Sequence, residues 1–345
     1  MKKKVVVIGG GFAGSSIAKC LEKDFEVVLI DSKGYFEFTP GVLRTIVEPE
    51  HMDKIQALHH NYLKYAEIVV GKVKEVKRNS VLVGKKRIDF DYLVVSSGSS
   101  YNAPFKEQNA VMATRASHLK KYYKHLLEAK KVLIVGGGLV GIEMTGEILW
   151  KYGEEKKITL VHAGEKLMSR GNERAIKLCE KFLNRKNVEI VYGESVDESR
   201  DGVYFTNKGR EIETDIAFFC TGIIPNYDFM MENFSSFLNR NRQVEVNEFL
   251  QMHGSKNIFA AGDVAGIDEE KTAQNAERQG KVVAGNIVAL EKGGELIKYE
   301  SKKTPMVISL GKWRGIFTFG NFAISGVIPA LMKRFIEKRE MWKRR

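Results

Sequence analysis

Apolar positions in this chain come in unbroken blocks as well as in alternating ones, and two of the blocks share one form. Lys4-Val-Val-Val-Ile-Gly-Gly-Gly-Phe-Ala-Gly14 and Lys131-Val-Leu-Ile-Val-Gly-Gly-Gly-Leu-Val-Gly141 are each a short apolar run entering a glycine turn. An unbroken run suits a strand buried on both faces, the usual state of a parallel sheet. A segment of helical period follows each turn, and then a second apolar strand, Phe25 to Ile30 and Lys157 to Val161, which gives two βαβ units. The expected fold is α/β with parallel, doubly wound sheets. Short strands follow the first unit at Ile68–Val70, Val73–Val76 and Val81–Val83. Phe90 to Gly98 and Asp215 to Gly222 read as buried strands ending in glycine crossovers, where the chain passes between domains. Cuts near residues 105 and 242 then give one domain from 1–105 and 243–305, a second from 106–242, and a C-terminal segment from 306–345. Asn257 to Asp263 is a further strand and turn, returning to the first domain.

The glycines carry chemistry. At Gly9, Gly11 and Gly14 they permit a tight turn, close backbone approach to a pyrophosphate, and tight packing of helix on strand. Asp31 ends the next strand, where a carboxylate accepts hydrogen bonds from an adenosine ribose. Strand before, helix after and acid at the right distance mark a Rossmann-like dinucleotide site, to which Phe12, Ala13, Ser32, Lys33, Val73 and Gly98 are expected to contribute. Gly136, Gly138 and Gly141, with Leu139, Val140 and Gly222, form the second site. Its strand ends in His162, where an acid usually marks NAD, so NADH and NADPH both remain open; Lys166 and Arg170 would assist a 2′-phosphate.

Composition narrows the setting. A chain of 345 residues, 43% hydrophobic, buries a sizeable core. Cys20, Cys179 and Cys220 lie far apart, so neither a disulfide framework nor a metal site is encoded, and a cytoplasmic setting fits. No window holds the ~20 apolar residues of a membrane span. The net charge of +12 favours anionic partners. Little aromatic interleaving among the basic residues, and no nucleic-acid module, argue against nucleic acid.

The duplicated fingerprints with Ala261-Gly-Asp263 resemble the two-dinucleotide-binding-domain flavoproteins over nearly the whole chain. The resemblance implies FAD in the first site, NADH or NADPH as co-substrate in the second, and Asp263 on the flavin's ribityl or phosphate region. Tyr35 to Arg44 holds no thiol where many such proteins carry a redox cysteine. Phe38-Thr39-Pro40 is similar to type II NADH:quinone oxidoreductases, and Leu43-Arg44 resembles the AIF-like ferroptosis suppressor family, which implies FAD contacts at Thr39 and Arg44. Thr272-Ala-Gln-Asn-Ala-Glu-Arg-Gln-Gly280 is similar to a run that borders the quinone pocket of the type II enzymes. Ala273 would open a helix whose positive end faces the flavin, and Gln274 would bond a quinone oxygen. Arg278 departs from that pattern. Gly141-Ile-Glu143 resembles a segment whose glutamate lies near nicotinamide and flavin, so Glu143 is the expected functional carboxylate, while Glu147 reads as a solvated or helix-capping acid.

From Ile324 to Trp342 an amphipathic basic helix is expected, with Pro329 in its first turn. Such a helix suits a membrane surface ahead of packing on the protein's own core or across a homodimer. The expected function is an FAD-dependent NAD(P)H dehydrogenase reducing a quinone, peripheral on the inner face of the cell membrane. The alternatives are a soluble reductase of a ferredoxin- or rubredoxin-type carrier and an AIF-like flavoprotein binding nucleic acid.

Overall fold

The computed structural model describes residues 1–100 and 112–345, with side chains in the second stretch from 119 onward. The first glycine turn joins β1 (Lys4–Ile8) to helix α1 (Phe12–Leu21), and the chain then runs through β2 (Glu26–Asp31), a short helix α2 (Val42–Thr45) and β3 (Glu67–Val70). Three antiparallel strands follow, β4 (Val73–Val76), β5 (Ser80–Val83) and β6 (Lys86–Asp89), and then β7 (Tyr92–Val95). The second unit holds β8 (Lys131–Val135), α3 (Leu139–Tyr152), β9 (Lys157–His162), α4 (Glu173–Arg185), β10 (Glu189–Tyr192) and β11 (Ile216–Phe219). Beyond it come β12 (Ile258–Ala260), α5 (Ala273–Lys292), an antiparallel sheet of β13 (Met306–Ser309), β14 (Gly315–Phe319) and β15 (Phe322–Gly326), and α6 (Val327–Trp342).

Both expected parallel sheets are present. One has the order β12-β7-β1-β2-β3, the other β10-β9-β8-β11. Val5, Val6 and Val7 are fully buried because β1 lies between β2 and β7 with both faces covered, which explains why its sequence does not alternate. β12 pairs in parallel with β7, so the late strand lies in the first sheet.

One domain cut and the start of the last helix differ from the sequence reading. The cut near residue 105 lies outside the described residues. The cut near 242 comes after the chain has already returned: Phe229, Met230 and Phe234 share a core cluster with Val6 and Ile8. The return follows the pairing of Ser99–Ser100 with Ile224–Pro225, which sets the two crossings side by side. The C-terminal helix also begins later than its apolar pattern indicates. Phe322–Gly326 is the last strand of a sheet, and the helix starts at Val327, with Pro329 in its first turn. Alternation within a β-branched and aromatic stretch satisfied both periods, and pairing with β14 decided for the strand.

Candidate active site

The two glycine turns have the same internal geometry. A Cβ on Gly14 would stand 1.8 Å from the Gly9 carbonyl oxygen, and one on Gly141 would stand 1.9 Å from that of Gly136. A Cβ on Gly11 or Gly138 would meet nothing within 4 Å. The first and third glycines are thus demanded by the protein's own backbone, while the middle one of each fingerprint faces open space. Both helices start there without any side chain capping the first N–H groups and without an acid in the first turn. Open space against free N–H groups at a helix N-terminus is a phosphate cradle, so the residues fit a dinucleotide in each unit.

A cavity of about 450 Å³ opens from the first cradle. Of the sequence-derived site residues, Gly9, Gly11, Phe12, Ala13, Asp31, Ser32, Lys33, Thr39, Val73, Gly98, Asp263 and Ala273 line it, and so do Leu139, Val140, Glu143 and Gln274 from the two other regions. Gly14 packs behind it. The second cradle (Gly136, Gly138 and Gly141), His162 and Gly222 lie off this cavity.

Asp31 is buried and accepts from the Gly10 N–H at 2.7 Å and the Lys33 N–H at 2.9 Å. Burial pushes its carboxyl upward, but the hydrogen bond to His59, the Lys33 ammonium and the backbone outweigh it, and the net shift is downward. His162 takes the corresponding place in the second unit. Its Nδ1 accepts from the Gly137 N–H at 3.2 Å and its Nε2 donates to the Lys166 carbonyl at 2.9 Å. These two bonds fix one tautomer and occupy both ring nitrogens.

Glu143 lines the cavity, accepts from the Ser309 N–H at 2.8 Å, and pairs through the same oxygen with Lys333 of α6. One turn on, Glu147 is 3% exposed, which corrects its reading as a solvated or capping acid. It accepts from the Ser309 hydroxyl at 2.9 Å and takes Arg44 in a two-pronged ion pair. Arg44 therefore turns to Glu147, forming a bond between the two units, and is not among the residues that line the cavity.

Gln274 is exposed at the start of α5, whose Thr272 caps the helix by accepting from the Asn275 N–H. Gln279 is buried and is held by the protein itself, accepting from Gly262 N–H and donating to Glu269, which steadies the turn bearing Asp263. Lys271 also lines the cavity; its ammonium donates to the carbonyls of Ala265 and Ile267, and burial lowers its pKa. Cys179 and Cys220 are buried, with thiols pushed up to about 12, and none of the three cysteines lines the cavity. Lys333, Lys271 and Ser309 had no signal in the sequence beyond their residue type, since each reaches the site through a long-range contact.

Residues 3–280 match the family model described as pyridine nucleotide-disulphide oxidoreductase. Apoptosis-inducing factor homolog A of Dictyostelium discoideum is 34% identical, covering 97% of this chain and 91% of the relative. Ferroptosis suppressor protein 1 of Mus musculus is 28% identical over 95% of this chain and 92% of its own length. Among solved structures, the sulfide:quinone oxidoreductase of Aquifex aeolicus superposes with a TM-score of 0.86 at 22% identity, covering 99% of this chain and 91% of that one. At that identity the superposition speaks for the fold.

Proposed function

Because the chain belongs to the pyridine nucleotide-disulphide oxidoreductase family, we propose that, as an FAD-dependent NAD(P)H oxidoreductase, it passes its electrons to a lipophilic quinone at a membrane surface. FAD held at the first cradle would supply hydride acceptance from the nicotinamide and two-electron transfer to the acceptor. The chain's part is to bind, orient and supply protons. The N-terminus of α1 takes the FAD pyrophosphate at Gly11, Asp31 the adenosine ribose, and Asp263 the ribityl side, while the cradle at Gly138 takes the co-substrate. Without a carboxylate at His162, no negative charge at that place opposes the 2′-phosphate of NADPH.

On the cavity wall the Glu143 carboxylate and the Lys333 ammonium form one pair. Reducing a quinone to the quinol takes up two protons, and Lys333 Nζ is a donor on the cavity wall. Apolar wall residues, Met306, Ile308 and Ile336 among them, exclude water there.

One observation carries the choice of acceptor. α6 has two apolar sides: Ile336 faces the cavity, while Ile328 and Phe335 are 65% and 66% exposed. With Phe319, Phe322, Val327 and Leu331 they form an exposed apolar face beside the cofactor cavity. Arg334 stacks on Trp313 at its edge, 4.7 Å from the ring centre, and Lys338 adds charge. Apolar residues with a basic margin suit an anionic lipid surface, where a long-tailed quinone resides. Among the described residues no helix is long and apolar enough to cross a membrane.

The test is steady-state oxidation of NADH and NADPH by the FAD-loaded protein, with a quinone, ferricyanide and a ferredoxin-type carrier offered in turn. Quinone reduction supports this reading. Turnover with the carrier alone would replace it.

A further inference from the structure

Two buried side chains, neither of which lines the cavity, form a line that ends on Asp31. The Tyr62 hydroxyl lies 2.6 Å from His59 Nδ1, and His59 Nε2 lies 3.3 Å from Asp31 Oδ2. His59 is fully buried, and Tyr62 nearly so.

The direction of both bonds follows from the carboxylate end, since the Asp31 carboxylate only accepts and His59 Nε2–H donates to it. Burial pushes the Tyr62 pKa far up, so the phenol keeps its proton and gives it to Nδ1. His59 is then left with its Nε2–H aimed at Asp31. Two bonds pointing one way, from a buried phenol to a buried carboxylate, polarise each member and strengthen the last bond. His59 stands over the fingerprint itself, for a Cβ on Gly10 would come within 2.4 Å of its ring. The second unit is built differently, with the Leu167 side chain against Gly137.

We propose that His59 is a positioning residue for FAD, orienting the Asp31 carboxylate toward the adenosine ribose, and that Tyr62 supports it by holding the imidazole in the tautomer that donates to Asp31. This rests on the reading that Asp31 holds that ribose.

The experiment is equilibrium titration of the full-chain apoprotein with FAD, followed by flavin fluorescence, together with the melting temperature of each apoprotein. His59→Leu should raise the FAD Kd by about tenfold, the scale of losing one buried hydrogen bond to a charge. His59→Gln, whose amide N–H extends to about the place of the imidazole Nε2–H, should recover most of it. Tyr62→Phe, the mildest change, should weaken FAD in the same direction by a few-fold, and keeps the test alive if His59→Leu does not fold. In an Asp31→Asn background His59→Leu should add nothing, as expected for groups that act through one another. Unchanged FAD affinity in His59→Leu and Tyr62→Phe, or losses that add to those of Asp31→Asn, would overturn the inference while leaving the flavoprotein reading intact. Failure of the wild-type apoprotein to take FAD would overturn both.

Discussion

The Arg44 guanidinium grips the Glu147 carboxylate through two hydrogen bonds, Nη2 to Oε1 at 2.9 Å and Nε to Oε2 at 3.2 Å. The pair joins α2 of the first unit to α3 of the second, close to the cavity that both units line. Removing one partner strands a buried charge. Glu147→Ala is therefore expected to destabilise the protein by about 3 kcal/mol, whereas the paired change Arg44→Met with Glu147→Leu should lie within about 1 kcal/mol of wild type. Denaturant midpoints of the apoproteins decide the matter, and equal losses in the two variants would contradict the assignment.

Asp263 lines the cavity on a turn that Gln279 holds from behind. Asp263→Ala is expected to weaken FAD retention by about tenfold, and Gln279→Ala to weaken it less, through the turn. The purified protein should be yellow with about one FAD per chain. Dialysis followed by the flavin absorbance per chain measures both effects.

No thiol reaches the cavity, so replacing all three cysteines should leave NAD(P)H oxidation within a few-fold of wild type. A loss beyond ~100-fold, ~2.7 kcal/mol in barrier, with FAD still bound would reveal a cysteine intermediate. The pKa direction gives an independent check. The thiolate is the reactive form, and Cys179 and Cys220 with values near 12 hold only about one thiolate in ten thousand at pH 8. Iodoacetamide on the native protein at pH 8 should label Cys20 first, and unfolding should release the other two.

What the sequence made legible follows from what is local in it. Both glycine turns, the strands flanking them, Asp31 at the end of β2 and Asp263 after β12 are encoded within a few residues of one another, as period and turn chemistry. Glu147 was misread because a carboxylate one turn beyond Glu143 looks the same on a solvated helix as on one whose partner, Arg44, stands 103 positions away. His59 and Lys333 were invisible for the same reason. Each acquires its meaning only when a distant segment brings it to Asp31 or Glu143. The start of α6 was misplaced because Phe322 to Gly326 satisfies a strand as well as a helix until β14 pairs with it.

The packing of α6 also decides how the membrane reading can be tested. Lys333, Ile336 and Arg339 line the cofactor cavity and Arg344 packs beside Phe36, so deleting the C-terminal segment would spoil the flavin site along with any membrane contact. Phe335 and Trp342 are exposed, at 66% and 81%, and are the residues to change.

The most direct measurement is therefore NADH oxidation by the FAD-loaded Phe335→Ser, Trp342→Ser variant, with ferricyanide in solution and with a long-tailed quinone in anionic liposomes. The account predicts an unchanged ferricyanide rate, a several-fold lower rate with liposomal quinone, and weaker vesicle binding that falls further with salt, since charge attraction is screened within ~8 Å at physiological ionic strength. A variant that reduces liposomal quinone as fast as wild type, or a wild-type protein that ignores anionic vesicles at low salt, would contradict it.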